Sequence, residues 1–200
     1  MRGRTHSLLL ALALALMVLL IGTVSYARCE QQGHWVWSRV SEARPKALAF
    51  SPGFAQNHTV YLASSHLDTP ALGFAYSTDR GRTWTVSNQG LPMQKDLMAN
   101  CLVAIARPGQ PDTLLLAAEK RFHAADEPSG GLYRSDDGGL TWREVAMTGM
   151  PRLGERTFQV IEHLAVSPAW EREPWLVAAV RGRGIFVSRD GGAQWQQTAA

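Results

Sequence analysis

The chain has 200 residues, with 20 Lys and Arg against 17 Asp and Glu, 7 Trp and 2 Cys. Its basic excess lies partly in the N-terminal segment: without Arg2 and Arg4, 18 basic side chains face 17 acidic ones. With that balance the high overall pI makes no case for nucleic-acid binding, which normally requires a clustered basic face, and no nucleic-acid partner is expected.

Residues 1–27 read as a signal peptide. Arg2 and Arg4 form a positive n-region, Leu8 to Val24 is an uncharged apolar run, and Ser25-Tyr26-Ala27 places small residues at the −3 and −1 positions of a cleavage site. The expected outcome is cleavage after Ala27 and an exported, secreted or extracytoplasmic chain. The alternative is an uncleaved anchor at residues 8–24, since the run is nearly long enough to span a bilayer. A lipoprotein is disfavoured because Arg28 precedes Cys29 where a small residue is needed. In an oxidising compartment Cys29 and Cys101 either pair as a disulfide or remain thiols, Cys101 then serving as a small apolar residue of its strand. Asn57-His58-Thr59 is a glycosylation sequon, a short and weak match.

Next comes Trp35-Val36-Trp37-Ser38-Arg39-Val40, an orphan strand expected over 34–40. Three copies of one unit follow. Lys46–Pro52, Leu102–Pro108 and His163–Pro168 are short apolar runs closed by Pro. Thr59–Ala63, Thr113–Ala117 and Trp175–Ala179 supply second strands, and runs at Gly73, Gly131 and Gly184 supply third strands. All are short enough for strands and too short for helices.

After each third strand stands one turn motif. Ser77-Thr78-Asp79-Arg80-Gly81-Arg82-Thr83-Trp84 and Ser135-Asp136-Asp137-Gly138-Gly139-Leu140-Thr141-Trp142 both read S-x-D-x-G-x-T-W. Ser188-Arg189-Asp190-Gly191-Gly192-Ala193-Gln194-Trp195 repeats the pattern with Gln194 in place of Thr. The aspartates lie 58 and 53 residues apart, which marks one supersecondary unit used repeatedly. The motif predicts a hairpin turn: the Gly takes positive φ, the Asp accepts backbone N–H bonds, and the Trp buries its surface against the next unit.

These motifs resemble BNR repeats, or Asp-boxes, of β-propellers such as sialidases, sortilin-type receptors and photosystem II assembly-factor-like proteins. The resemblance covers roughly residues 34–200 and implies that Ser77, Asp79, Gly81, Trp84, Ser135, Asp137, Gly139, Trp142, Ser188, Asp190, Gly192 and Trp195 are structural. The expected fold is all-β, an incomplete β-propeller of three four-stranded antiparallel blades plus an extra N-terminal strand. The blades are expected at 45–88, 99–146 and 160–198. Three blades leave exposed sheet edges and faces, which points to a truncated or partial chain, or to closure by self-association.

In this topology the loop face, opposite the Asp-boxes, is where a partner would bind. The ligand-binding candidates there are Arg121, His123, Asp126, Arg152, Arg156, Arg181 and Arg183, whose arginines would suit a carboxylate or sulfate; the alternative is that they are solvated loop residues. Asp68, Asp96, Asp126, Glu127 and Glu155 are the carboxylates available to a glycosidase. The resemblance does not extend to a sialidase site: Ala43-Arg44-Pro45 replaces the family's Arg-Ile-Pro, and Tyr61, Tyr76 and Tyr133 fall in strands. Asp136-Asp137-Gly138-Gly139 lacks the later Glu of a calcium loop. No metal, cofactor or catalytic residue is expected. The expected function is an exported scaffold binding a protein or carbohydrate partner through its loop face, with membrane contact only through an uncleaved N-terminal segment. The alternative is a fragment of a BNR-repeat glycoside hydrolase.

Overall fold

A computed structural model describes residues 44–65, 73–92, 97–120, 131–152 and 159–198, all within one compact unit spanning Trp37–Ala200. The targeting segment, the strand expected at 34–40 and Cys29 lie outside the described residues.

The first sheet holds β1 (Arg44–Phe50), β2 (Val60–Ser65), β3 (Phe74–Ser77) and β4 (Thr85–Val86), with one helical turn, α1 (Phe54–Asn57), between β1 and β2. The second holds β5 (Leu97–Ile105), β6 (Thr113–Lys120), β7 (Gly131–Ser135) and β8 (Arg143–Val145). The third holds β9 (Ile161–Val166), β10 (Leu176–Val180), β11 (Gly184–Ser188) and β12 (Gln196–Gln197). Each sheet is a four-stranded antiparallel meander in chain order. That is the blade of a β-propeller, so the described part of the chain is an open arc of three blades.

Strand composition follows from each blade's place in the arc. The middle blade is covered on both faces, so β6 is a continuous apolar run: Leu114 and Leu116 join the core shared with the first blade, and Leu115 and Ala117 join the core shared with the third. A strand buried on both faces loses the polar alternation of a one-sided strand. In β10 the alternation returns, because Leu176, Ala178 and Val180 are buried while Val177 on the other face is exposed. The prolines end pairing as expected, with Pro52, Pro108 and Pro168 just beyond β1, β5 and β9.

Cys101 sits in β5, half-buried with a free thiol, and burial pushes that thiol up to about 11 against one backbone hydrogen bond with Ala117. The side chain of Asn57 is engaged within its own turn: its Nδ2 donates to Ser51 Oγ at 2.8 Å and its Oδ1 accepts from the Thr59 N–H at 2.9 Å. No helix among the described residues is long and apolar enough to cross a membrane.

Candidate functional site

The three turns fold alike because the same side chains close them. Ser77, Ser135 and Ser188 donate from Oγ to Oδ1 of Asp79, Asp137 and Asp190 at 2.8, 2.7 and 2.8 Å. Each serine oxygen also accepts the N–H of Gly81, Gly139 or Gly192 at 2.8 Å, which holds these glycines at φ of 85°, 95° and 99°. Each Asp Oδ1 then accepts the N–H of Thr83, Thr141 or Gln194 at 2.9 Å.

The Thr83 and Thr141 hydroxyls donate to the second carboxylate oxygen, and Gln194 has no hydroxyl to do so. The bonds from the Thr83 hydroxyl and N–H and from Ser77 hold Asp79 well below the usual carboxylate range. Burial raises Asp137 and Asp190, but hydrogen bonds from Thr141 and Ser135, and from Gln194 and Ser188, outweigh it and leave both below that range. These aspartates are committed to their turns. Among the described residues no His, Cys, Asp and Glu group is placed to hold a metal.

The tryptophans differ from expectation in one respect: Trp142 and Trp195 pack on the preceding blade, not the following one. Trp142 of the second blade takes Phe74 of the first edge-on, with ring centroids 4.9 Å apart, and is only 5% exposed. Trp195 of the third blade shares a core with Leu132 of the second. Trp84 belongs to the first blade and is only half-buried. The reason is the sense of the turn, in which the motif's fifth-position Gly lets the preceding sheet come close. A Cβ on Gly139 would lie 2.2 Å from the Phe74 ring, and one on Gly192 would lie 3.0 Å from Leu132. The indoles of Trp84 and Trp195 donate to the carbonyls of Gly81 and Gly192 at 3.1 and 2.7 Å, whereas that of Trp142 is buried without a hydrogen-bond partner.

A second repeated element went unread in the sequence. Gly90-Leu91-Pro92 and Gly149-Met150-Pro151 follow the first two blades and fasten each to the next turn. The Gln89 carbonyl accepts the Trp142 N–H at 2.8 Å, and the Thr148 carbonyl accepts the Trp195 N–H at 2.8 Å. Gly90 and Gly149, at φ of 88° and 85°, lie so close to the Trp142 and Trp195 carbonyls that a Cβ would fall 2.0 and 2.3 Å away. The G-x-P repeat was the signal available, masked by its place among residues expected to be plain loop.

Of the loop-face candidates, Arg121, His123, Asp126 and Arg156 lie outside the described residues, as do Asp68, Asp96, Glu127 and Glu155. Arg152, Arg181 and Arg183 are exposed. Arg181, in the turn between β10 and β11, donates to Glu162 at 2.8 Å and reaches across to Glu119 at the end of β6 at 3.2 Å. The bond with Glu162 comes first in raising the guanidinium pKa above its ordinary value, and the Glu119 charge adds to it. These three charges clamp the second blade to the third at the base of the loop face.

Tyr61 and Tyr133 are buried and poorly suited to ionise. Burial, then the hydrogen bond with Asp112, raises the Tyr61 phenol, and burial with the Glu144 charge pushes Tyr133 up to about 12. On the opposite side, a groove of about 550 Å³ opens where the ends of the three inner strands converge, lined by Pro52, Ile105, Pro108, Val166 and Trp170, with exposed Glu171 and Arg172 among its residues. It is largely apolar and brings no pair of carboxylates together.

The BNR/Asp-box repeat family matches residues 75–86 and 133–144, the first two turns with their flanking strands. No curated protein sequence matches the chain. Among solved structures, the GH74 xyloglucanase from Xanthomonas campestris is similar, at 23% identity and a TM-score of 0.48, over 76% of this chain and 23% of that one. YCF48 from Cyanidioschyzon merolae is similar at 16% identity and a TM-score of 0.49, over 80% of this chain and 41% of that one. A YCF48 structure bound to a D1 peptide is similar at 15% identity and a TM-score of 0.46, over 81% of this chain and 41% of that one. The chain thus spans from about a quarter to two-fifths of the length of these structures. The chain thus carries BNR/Asp-box repeats at residues 75–86 and 133–144, set in sheets with the strand order of propeller blades.

Proposed function

We propose that the chain is an exported binding scaffold whose loop face takes a protein or glycan partner. The observation that carries this reading is the clamp of Arg181 on Glu162 and Glu119. It ties the turn at 181–183 to the end of β6 and to β9, and it engages two acidic groups of that face in a structural contact. A glycoside hydrolase needs two carboxyl groups facing each other across a site, roughly 5–10 Å apart. Glu119 and Glu162 share one arginine and are engaged in that contact.

The test is a peptide and glycan array probed with the full chain, alongside an assay for reducing ends released from polysaccharides. Binding that weakens in Arg121→Ala and Arg183→Ala, without release of reducing ends, supports the scaffold. Catalytic release that disappears on substitution of Asp126 or Glu127 would instead establish the glycosidase reading.

A further inference from the structure

Hollows lie beside the second and third Asp-box turns at positions that correspond residue for residue. Counted from the motif serine, Arg134, Asp136, Thr141 and Arg143 at the second turn become Val187, Arg189, Gln194 and Gln196 at the third, and Thr113 at the start of β6 becomes Trp175. At the second turn these side chains satisfy one another. Asp136 accepts from Thr113 Oγ1 at 2.9 Å, from Arg134 Nε and Nη2 at 2.9 and 2.7 Å, and from Arg143 Nη2 at 3.3 Å, while the Thr141 hydroxyl donates to Asp137 Oδ2. The hollow that remains there measures about 210 Å³. Thr141 and Arg143 stay exposed with the third blade packed alongside, so a following blade does not seal this position.

At the third turn those pairings are gone while polar groups remain. Asp190 Oδ1 takes the Ser188 hydroxyl and the N–H groups of Ala193 and Gln194, but among the described residues nothing donates to Oδ2, because Gln194 lacks the threonine hydroxyl. Gln194 and Gln196 are exposed, and no described group bonds their side-chain amides. Arg189, in the place of Asp136, holds its guanidinium 4.8 Å from the Trp175 ring centroid. Trp175 is 41% exposed, and on the same face Ile185, aligned with the fully buried Phe74 and Leu132, is 42% exposed. Trp175, Val187, Arg189, Asp190, Gln194 and Gln196 line a groove of about 400 Å³, a volume that suits a small molecule or one unit of a polymer.

We infer that this groove binds a neutral carbohydrate. An exposed indole takes the C–H face of a pyranose ring, and the hydroxyls around that ring need acceptors and donors together. Asp190 Oδ2 supplies a charged acceptor, Arg189 supplies donors, and the amides of Gln194 and Gln196 supply both. The one positive and one negative side chain of the groove cancel, which favours an uncharged sugar over a sulfated or carboxylated one. The groove lies at the Asp-box end of the third blade, whereas Arg181 and Arg183 stand in the turn at the other end of its strands, so the site is separate from the loop face.

The test titrates the full chain with cellohexaose, xylohexaose, mannohexaose and maltohexaose, with a heparin hexasaccharide as the charged comparison, following heat and tryptophan fluorescence. Saturable binding of at least one neutral sugar is expected, and Trp175→Ala should weaken it roughly tenfold or more. Gln194→Thr restores the hydroxyl that occupies the second carboxylate oxygen at the other turns, so binding should fall while the melting temperature holds or rises. That variant separates a lost ligand from a lost fold. No saturation by any of the neutral sugars overturns the proposal, and so does binding that both variants leave unchanged. Binding that survives them and disappears in Arg183→Ala belongs to the loop face and overturns it equally. Binding confined to the heparin hexasaccharide overturns the assignment of a neutral ligand.

Discussion

Phe74 of the first blade lies edge-on to Trp142 of the second, at 67° and 4.9 Å between ring centroids, beneath a glycine that leaves no room for a methyl group. Phe74→Ala empties a site that is 0% exposed, and truncations of that kind cost about 3–5 kcal/mol. Denaturant unfolding should show that loss, whereas Ile185→Ala, at the equivalent open position, should cost well under half as much. Equal losses at the two positions would contradict the assignment of covered and open faces.

Gly149→Ala should be among the most damaging single changes available. The new Cβ would press on the Trp195 carbonyl at 2.3 Å, and φ of 85° strains any residue with a side chain. A loss of roughly 2–4 kcal/mol is expected, because backbone must move to relieve the clash. Gly182→Ala provides the control: it too has positive φ, at 66°, but no atom lies within 4 Å of the added carbon. Thermal melts of the two variants should separate strain alone from strain plus collision.

The Asp-box carboxylates make stability depend on acid. Asp137 is held below its ordinary pKa in the folded state, so its contribution is fully present above the unfolded value, near 3.9, and is lost as pH falls through the folded value. Asp137→Asn should therefore lower stability at pH 7 and flatten its decline below about pH 4. Asp137→Ala, which leaves the Thr141 N–H without its acceptor, should cost about 1–2 kcal/mol at pH 7. Urea titrations at several pH values would measure both effects, and an unchanged acid profile in Asp137→Asn would rule out this carboxylate as their source.

The Cys101 thiol, raised to about 11, is almost wholly protonated at pH 8 and packed against the interface with the third blade. Alkylation there should be at least ten times slower in the native chain than in denaturant, since the thiolate is the reactive form. Mass spectrometry of iodoacetamide-treated protein, read separately for the Cys101 peptide, gives the rate.

Arg181→Met removes a clamp whose charges are mostly solvent-exposed, and such pairs contribute about 0–1 kcal/mol. The melting temperature should fall slightly at low salt and converge with that of the parent chain at 1 M, where screening is nearly complete. A large, salt-independent drop would mean that Arg181 works through packing instead.

The turns were legible in the sequence because their chemistry is local. Ser, Asp and Gly act within five residues of one another, so spacing alone discloses Ser135, Asp137 and Gly139. What lies between blades was harder to read. The direction in which Trp142 packs depends on how Phe74, 68 positions earlier, approaches Gly139, and no local pattern encodes that. The glycines at 90 and 149 show the same limit: each is dictated by a carbonyl more than 40 residues away, and only their recurrence could have exposed them. The sequence named Arg181 as a loop-face residue but not its partners, Glu119 and Glu162, which stand on other elements.

The fastening of Gln89 to Trp142 and of Thr148 to Trp195 has a mechanical consequence. Each exit segment is bonded to the turn of the blade that follows, so tension applied at the C-terminus meets these seams one at a time. The load would shear the Thr148 seam before reaching the one at Gln89, peeling whole blades in sequence from last to first. Single-molecule extension should then record separate rips, each about the length of one blade, with the substitution at Gly149 softening only the first.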